Sequence, residues 1–329
     1  MNGPQQIRRR SAIVAALAAF CAAPAMAQTA RAYPAKPIRI IVPHPPGDTT
    51  DNMARTIGDK LTAAWGQPVV VENKLGAGGM IAADAMAKAA PDGYTLLLTI
   101  SSLVQNSVLH TKLPYDLFRD FAPVALVATT PLAYIVNASS PYRSVADFIA
   151  VAKARPGELS YASYGLGTTA HIYYELLAGA SKTRITHVPY KGGAPIMTDV
   201  LGGQVDSGLL SLSVALPQHR AGRIRILAIS NSKRFASLPD VPTFAEAGYP
   251  ELSGAGWVGL LAPASTPKDV VDKLSAEFAR VLQMPEIGAK FESMAIEAVS
   301  STPAAFGDIL QNDYRKWSKV IKDFQIKAE

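Results

Sequence analysis

Short β-branched and leucine-rich runs alternate along this chain with stretches whose apolar positions recur every three or four residues. Ile38-Arg39-Ile40-Ile41-Val42 stops at Pro43. From about Asp51 to Trp65, Met53, Ile57, Leu61 and Trp65 then fall on one helical face. Val69 to Glu72 reads as a second strand. Gly76, Gly78 and Gly79 turn the chain into a helix over Ile81 to Ala90, and Tyr94 to Ile100 is a third, apolar strand. Continuous apolar strands between amphipathic helices predict a mostly parallel sheet covered on both faces. The pattern restarts with strands at Leu132–Asn137, Leu159–Ser163, Ile185–Pro189, Asp206–Leu212 and Ile224–Ile229. Helices are expected at Val145–Ala154, Ala170–Ala180 and Ala194–Leu201. A strand at Trp257–Ala262 precedes a helix striped by Val270, Val271, Leu274, Phe278, Val281 and Leu282. A last helix carries Phe306, Ile309, Leu310, Trp317 and Ile321. Two α/β lobes follow, crossed by two connections because the C-terminal helices are long enough to return to the first sheet. Ligands in such sheets gather outside the carboxyl ends of the strands.

The N-terminus breaks the pattern. Arg8-Arg9-Arg10, an apolar run from Ala12 to Ala23, and Ala25-Met26-Ala27 have the layout of a secretory signal over residues 1–27, with cleavage expected after Ala27. The expected compartment is the periplasm. Cys21 is the only cysteine, so the mature chain has no disulfide, no thiolate catalysis and no zinc–thiolate site. The formal charge of +6 includes the three signal arginines, so the mature value is +6 − 3 = +3, with no dense basic run and no expected nucleic-acid partner. No later segment is long and apolar enough to span a membrane.

The candidate chemistry lies in loops that join strands to helices. Pro43-His44-Pro45-Pro46-Gly47-Asp48-Thr49-Thr50-Asp51 offers a glycine for close backbone approach and several capping side chains; it reads equally as a site or as an N-cap turn. Ser163-Tyr164-Gly165-Leu166-Gly167-Thr168-Thr169 opens the next candidate. It fits a dinucleotide fingerprint only formally, because the following strand ends without an acid, so an anion held by backbone N–H groups and hydroxyls is favoured. His171, one turn on, reads first as a packing or supporting residue. Further candidates are Ser101-Ser102, the Val188-Pro189-Tyr190-Lys191-Gly192-Gly193 loop, and Asp206, which is either a ligand acceptor or a turn residue. There is no G-x-S-x-G elbow, P-loop or H-E-x-x-H, and none of the five histidines pairs at i, i+4. Binding is favoured over catalysis, and no cofactor or metal is expected.

These motifs resemble those of the Bug family, the solute-binding components of tripartite tricarboxylate transporters. The likeness runs through nearly the whole mature chain. It includes Tyr33-Pro34, Val42-Pro43 with Pro45-Pro46-Gly47, Gly66-Gln67-Pro68, Pro91-Asp92-Gly93-Tyr94, His187-Val188-Pro189-Tyr190-Lys191-Gly192 and Leu238-Pro239-Asp240-Val241-Pro242. The resemblance implies a two-lobed type II periplasmic-binding-protein fold, with lobe 1 at residues 28–134 plus 230–329 and lobe 2 at 135–229. It also implies a small organic acid ligand, membrane transporter subunits as partners, and a monomer. The ligand carboxylate would be held by Gly47 to Asp51 and by Ser163 to Thr169. The resulting candidate site comprises His44, Gly47, Asp48, Thr49, Asp51, Ser101, Ser163, Gly165, Thr168, Thr169, His171, Tyr190 and Asp206. Two positions depart from the family: His44 stands where Phe is usual, and Asp48 where a second Gly is usual. An acid beside a carboxylate repels it, so Asp48 either points away, pairs with His44 or Lys191, or marks a ligand with a cationic or amide end. The competing readings are a periplasmic sensor that docks on a membrane receptor and a hydrolase using His171.

Overall fold

The structure, a computed structural model, describes residues 33–326 apart from residue 236. The expected secretory signal lies outside the described residues. From Lys36 onward the chain packs as one unit built on two sheets.

The first sheet starts with β1 (Ile38–Val42), buried except at Arg39. Helix α1 (Thr49–Trp65) follows, capped by Asp48 and ended by Gly66, whose φ of 63° is the left-handed C-terminal stop that glycine favours. Its Met53, Ile57 and Leu61 stripe is buried, as its spacing requires. Then come β2 (Val69–Asn73), a tight turn over Ala77–Gly79, α2 (Met80–Ala87), β3 (Thr95–Ile100), α3 (Ser102–Leu109) and β4 (Phe121–Thr130).

The chain then enters the second sheet through β5 (Leu132–Asn137). It continues with α4 (Val145–Ala154), β6 (Ser160–Ser163), α5 (Thr169–Ser181), β7 (Thr186–Pro189), α6 (Gly193–Leu201), β8 (Ser207–Ser211), α7 (Leu212–Arg220) and β9 (Ile224–Ile229). Its strand order is β7-β6-β8-β5-β9. Aromatic rings fill this lobe: Tyr161 stacks on Tyr174 at 3.6 Å, and Tyr134 meets Tyr174 and Phe148 edge-on at 5.3 and 5.5 Å.

The chain returns as β10 (Gly256–Pro263), which slots between β3 and β4. It finishes with α8 (Lys268–Leu282), α9 (Pro285–Ser293), the short β11 (Glu297–Ala298) and α10 (Pro303–Asp323). Helices α8 and α10 pack on β4, so the C-terminal helices do come back to the first lobe. Trp257 Nε1 donates to Asp313 of α10 at 2.7 Å.

Both sheets are mixed, which corrects the expectation of mostly parallel ones. β1 runs parallel to β2 and β3, and β6 to β7 and β8, while β10 and β5 are antiparallel to both of their neighbours. The cause is the crossing itself. A helical crossover returns the chain in the same direction, but β5 and β10 enter their sheets directly from the other lobe. The two crossing segments are stitched together. Leu132 N–H donates to Ser230 Oγ at 2.8 Å, and Ser230 N–H donates to the Leu132 carbonyl at 2.9 Å.

Candidate functional site

The loop after β1 is braced from within. Gly47, at φ +85°, donates its N–H to Asp51 Oδ2 at 2.8 Å, and Asn52 Nδ2 donates to the Gly47 carbonyl at 2.8 Å. Asp51 is buried and also receives Asn73 Nδ2 at 2.9 Å and the Arg55 guanidinium at 2.9 to 3.1 Å. Burial alone would raise its pKa. The hydrogen bonds from Arg55, Gly47 and Asn73 and the charge of Arg55 outweigh burial and leave it lowered. Asp51 is therefore a brace that shapes the loop from behind.

Asp48 and His44 face the other way. Asp48 caps α1, accepting from Thr49 N–H at 2.6 Å. His44 is buried, contacts Thr50 Oγ1 through Nδ1 at 2.9 Å, and lies with its ring 5.5 Å from that of Tyr164. Burial holds His44 below the ordinary histidine value, against the upward pull of the Asp48 charge, so its imidazole is neutral at neutral pH.

The opposing wall comes from the β6–α5 loop. Thr168 caps α5: its hydroxyl accepts from His171 N–H at 3.4 Å and donates to the Gly165 carbonyl at 2.7 Å. Ser163 is buried at the base of the loop. It receives Gly165 N–H at 3.1 Å and contacts His187 Nε2 at 2.7 Å. Tyr164 OH accepts from Ser211 N–H at 2.8 Å, which ties this loop to the end of β8.

Between the walls lies an inner cavity of about 40 Å³, room for roughly three waters. The N-cap residues of four helices line it: Asp48 of α1, Ser101 of α3, Thr168 of α5 and Ser211 of α7. The first N–H groups of a helix have no acceptor within it, and its dipole is positive at that end. Four such ends around one small space bring positive partial charge to it without a lysine or arginine, and the Asp48 carboxylate offsets part of that charge. Trp257, Leu132 and Ile100 supply its apolar surface. An outer cavity of about 420 Å³ adjoins it and shares His44, Tyr164 and Thr168 as a common wall. The Gly76–Gly79 turn, Met80, His110, Leu166, Tyr190 and Lys191 complete the outer chamber.

The two lobes meet directly around these spaces. Ser101 Oγ lies 3.0 Å from Thr169 Oγ1, which also donates to Gln105 Oε1 at 3.1 Å. Thr49 Oγ1 lies 2.5 Å from Ser213 Oγ. Gly193 N–H, at the start of α6, donates to Asp48 Oδ2 at 3.0 Å.

Of the sequence candidates, the structure brings His44, Asp48, Thr49, Ser101, Thr168 and Thr169 to the inner cavity, and Gly165 and Tyr190 to the outer one. Gly47, Asp51 and Ser163 support these walls without lining either chamber. His171 turns away into a separate open hollow with Glu175 and His187. Burial lowers the pKa of both His171 and His187 to about 4. Asp206 is displaced from the site. It accepts from Ser160 N–H and Oγ at 2.8 and 2.9 Å at the starting end of β8, one strand length or roughly 16 Å from the end that meets the cavity. The residue at the working end of β8 is Ser211, which sequence reasoning passed over together with Thr130, Trp257 and His110. Among the described residues, no three His, Cys, Asp or Glu side chains are grouped to hold a metal ion, and no helix is long and apolar enough to cross a membrane.

Residues 53–326 match the family model described as the tripartite tricarboxylate transporter family receptor. The protein BugT of Bordetella pertussis is 38% identical over 310 residues, covering 94% of each chain. A solved protein of R. palustris with adipate superposes with a TM-score of 0.85 at 35% identity, over 90% of this chain and 99% of that one. MatC of Rhodopseudomonas palustris, solved with bound malate, gives a TM-score of 0.84 at 31% identity, over 88% and 100%. The chain thus belongs to the tripartite tricarboxylate transporter receptor family of solute-binding proteins.

Proposed function

We propose that this protein is a periplasmic receptor that holds a small organic acid between its lobes, without turning it over, and presents it to the membrane subunits of a tripartite transporter. The observation that carries this reading is the convergence of four helix N-termini on one small inner cavity. The similar proteins solved with adipate and malate support the ligand class.

The energetics suffice. A helix N-terminus contributes about 0.3 to 2 kcal/mol toward an anion, and each charge-assisted hydrogen bond about 1.5 to 3 kcal/mol. A few of these reach the roughly −8 kcal/mol of a micromolar Kd. A carboxylate in the inner cavity touches both lobes, so it favours the closed arrangement over an open one. In this reading lobe 1 comprises residues 28–134 and 230–329, lobe 2 comprises 135–229, and the crossing segments joined at Leu132 and Ser230 act as the hinge. The receptor works as a monomer, since each chain carries both walls of the cleft.

A thermal-shift screen of C4 to C8 carboxylic acids, followed by calorimetry, tests the function. Ligands that bind the native state raise its melting temperature. At least one acid is expected to bind in the micromolar range at one site per chain. No shift with any of them would remove the organic-acid reading.

A further inference from the structure

Asp48 is an acid set into a cavity built for anions. It is 6% exposed, and its carboxylate spans the two lobes: Oδ1 accepts from Thr49 N–H at 2.6 Å and Oδ2 from Gly193 N–H at 3.0 Å. The negative charge that would otherwise be attracted to the starts of α1 and α6 is thus already present, covalently attached to the chain. Apart from His44, Asp48 is the only titratable acid or base, tyrosine aside, on the wall of the inner cavity. Burial keeps His44 neutral, so it does not offset that charge. Among the described residues no ion pair holds Asp48.

The positive ends left to a ligand are those of α3, α5 and α7, marked by Ser101, Thr168 and Ser211. The start of α7 lies beside that of α6, with Val214 and Tyr164 against Gly193, and Ser101 and Thr168 continue the wall. A carboxylate oxygen has two acceptor positions, and each Asp48 oxygen has one position filled by a backbone N–H. The Asp48 side can therefore accept a hydrogen bond from a ligand N–H or O–H, but it repels a second carboxylate brought beside it.

We propose that Asp48 makes this receptor selective for acids that present one carboxylate to Ser101, Thr168 and Ser211 and an uncharged or cationic hydrogen-bond donor, such as an amide or ammonium, toward Asp48. This inference rests on the organic-acid reading above and names the subclass of acid. Short di- and tricarboxylates, whose second charge would lie beside Asp48, are excluded.

The test compares C4 to C6 α,ω-dicarboxylates with their own monoamides by calorimetry at pH 7.5. Each pair has the same length and differs only in whether the second end is a charged acceptor or a neutral donor. The wild type is expected to bind the monoamide at least tenfold more tightly than the diacid. Asp48→Asn removes the charge at constant size, and Asp48→Ser keeps an N-cap for α1. Both variants are expected to bring the preference below threefold or to reverse it. A wild type that binds the diacid as tightly as the monoamide overturns the proposal. So does a tenfold preference that persists in a folded Asp48 variant, even though organic acids are then still bound. If no member of either series binds folded wild-type protein, this proposal falls, and the organic-acid reading falls with it only if the C4 to C8 screen also finds no ligand.

Discussion

Ser101 and Thr169 stand at the starts of helices that follow strands of different sheets, yet their hydroxyl oxygens lie 3.0 Å apart. Thr169 also donates to Gln105 on the Ser101 side, so one side chain reads whether the lobes have met. Thr169→Val keeps the shape and removes both contacts. Affinity for the best acid is expected to fall tenfold or more, about 1.4 kcal/mol. X-ray scattering of the ligand-free variant should show a larger radius of gyration than the wild type. Unchanged affinity in calorimetry would refute the role.

Closure also depends on a missing side chain. Gly167 has φ +75°, and a Cβ there would lie 2.2 Å from Asn106 Oδ1 across the cleft. Asn106 is not free to swing aside, because its Nδ2 donates to the Gly78 carbonyl at 2.9 Å. Gly167→Ala is expected to cost about 1 kcal/mol in backbone strain and to weaken ligand binding by more than tenfold by holding the lobes apart. Adding Asn106→Ala should recover part of the affinity and none of the strain. Equal affinities for the single and double variants would disprove the steric account.

Asp51 braces the first loop through Arg55, Asn73 and Gly47. Its pKa in the folded state is lowered, so its contribution to stability is present above the ordinary carboxylate value and is lost as pH falls through the lowered one. Asp51→Asn is expected to cost roughly 1–3 kcal/mol at pH 7. The gap between variant and wild type should narrow below pH 4. Urea denaturation at several pH values measures both, and a gap that stays constant down to pH 3 would contradict the assignment.

His171 and His187 lie with ring centroids 4.8 Å apart, and burial lowers both to about 4. An unfolded histidine takes up a proton near pH 6.5, so the stability these neutral rings supply is complete above that value. It is lost progressively as pH falls from about 6.5 to about 4. The melting temperature should drop across this window, and His187→Asn should flatten the drop. Histidine signals in NMR that titrate near 6.5 for both rings would sink this prediction.

Most of the elements were legible in the sequence because their signals are local. Strand β9 and helix α4 fall where the hydrophobic period puts them, and the strand–glycine–helix loops around Gly47 and Gly165 announced two walls of the cleft. Five elements escaped, among them the two-residue β11, too short to show a period. Helix α3 hides in an apolar run that continues from β3, and α7 carries an internal Pro217. Strand β4 has Pro123 within it, and α9 is a short helix with only two buried residues. Asp206 was misplaced because both ends of β8 carry polar residues. Only the strand's direction beside β6 shows that Ser211, at the carboxyl end, is the one that meets the ligand space.

The sequence by itself determined the alternation of strands and helices, the capping chemistry at their junctions and the family. Each of these depends on residues a few positions apart. Tertiary structure alone decided which four helix starts converge, that β5 and β10 run against their neighbours, and that the Asp48 carboxylate reaches the start of α6, 145 positions away. Such long-range meetings are fixed by how the two sheets pack and cross, and periodicity along the chain carries no record of them.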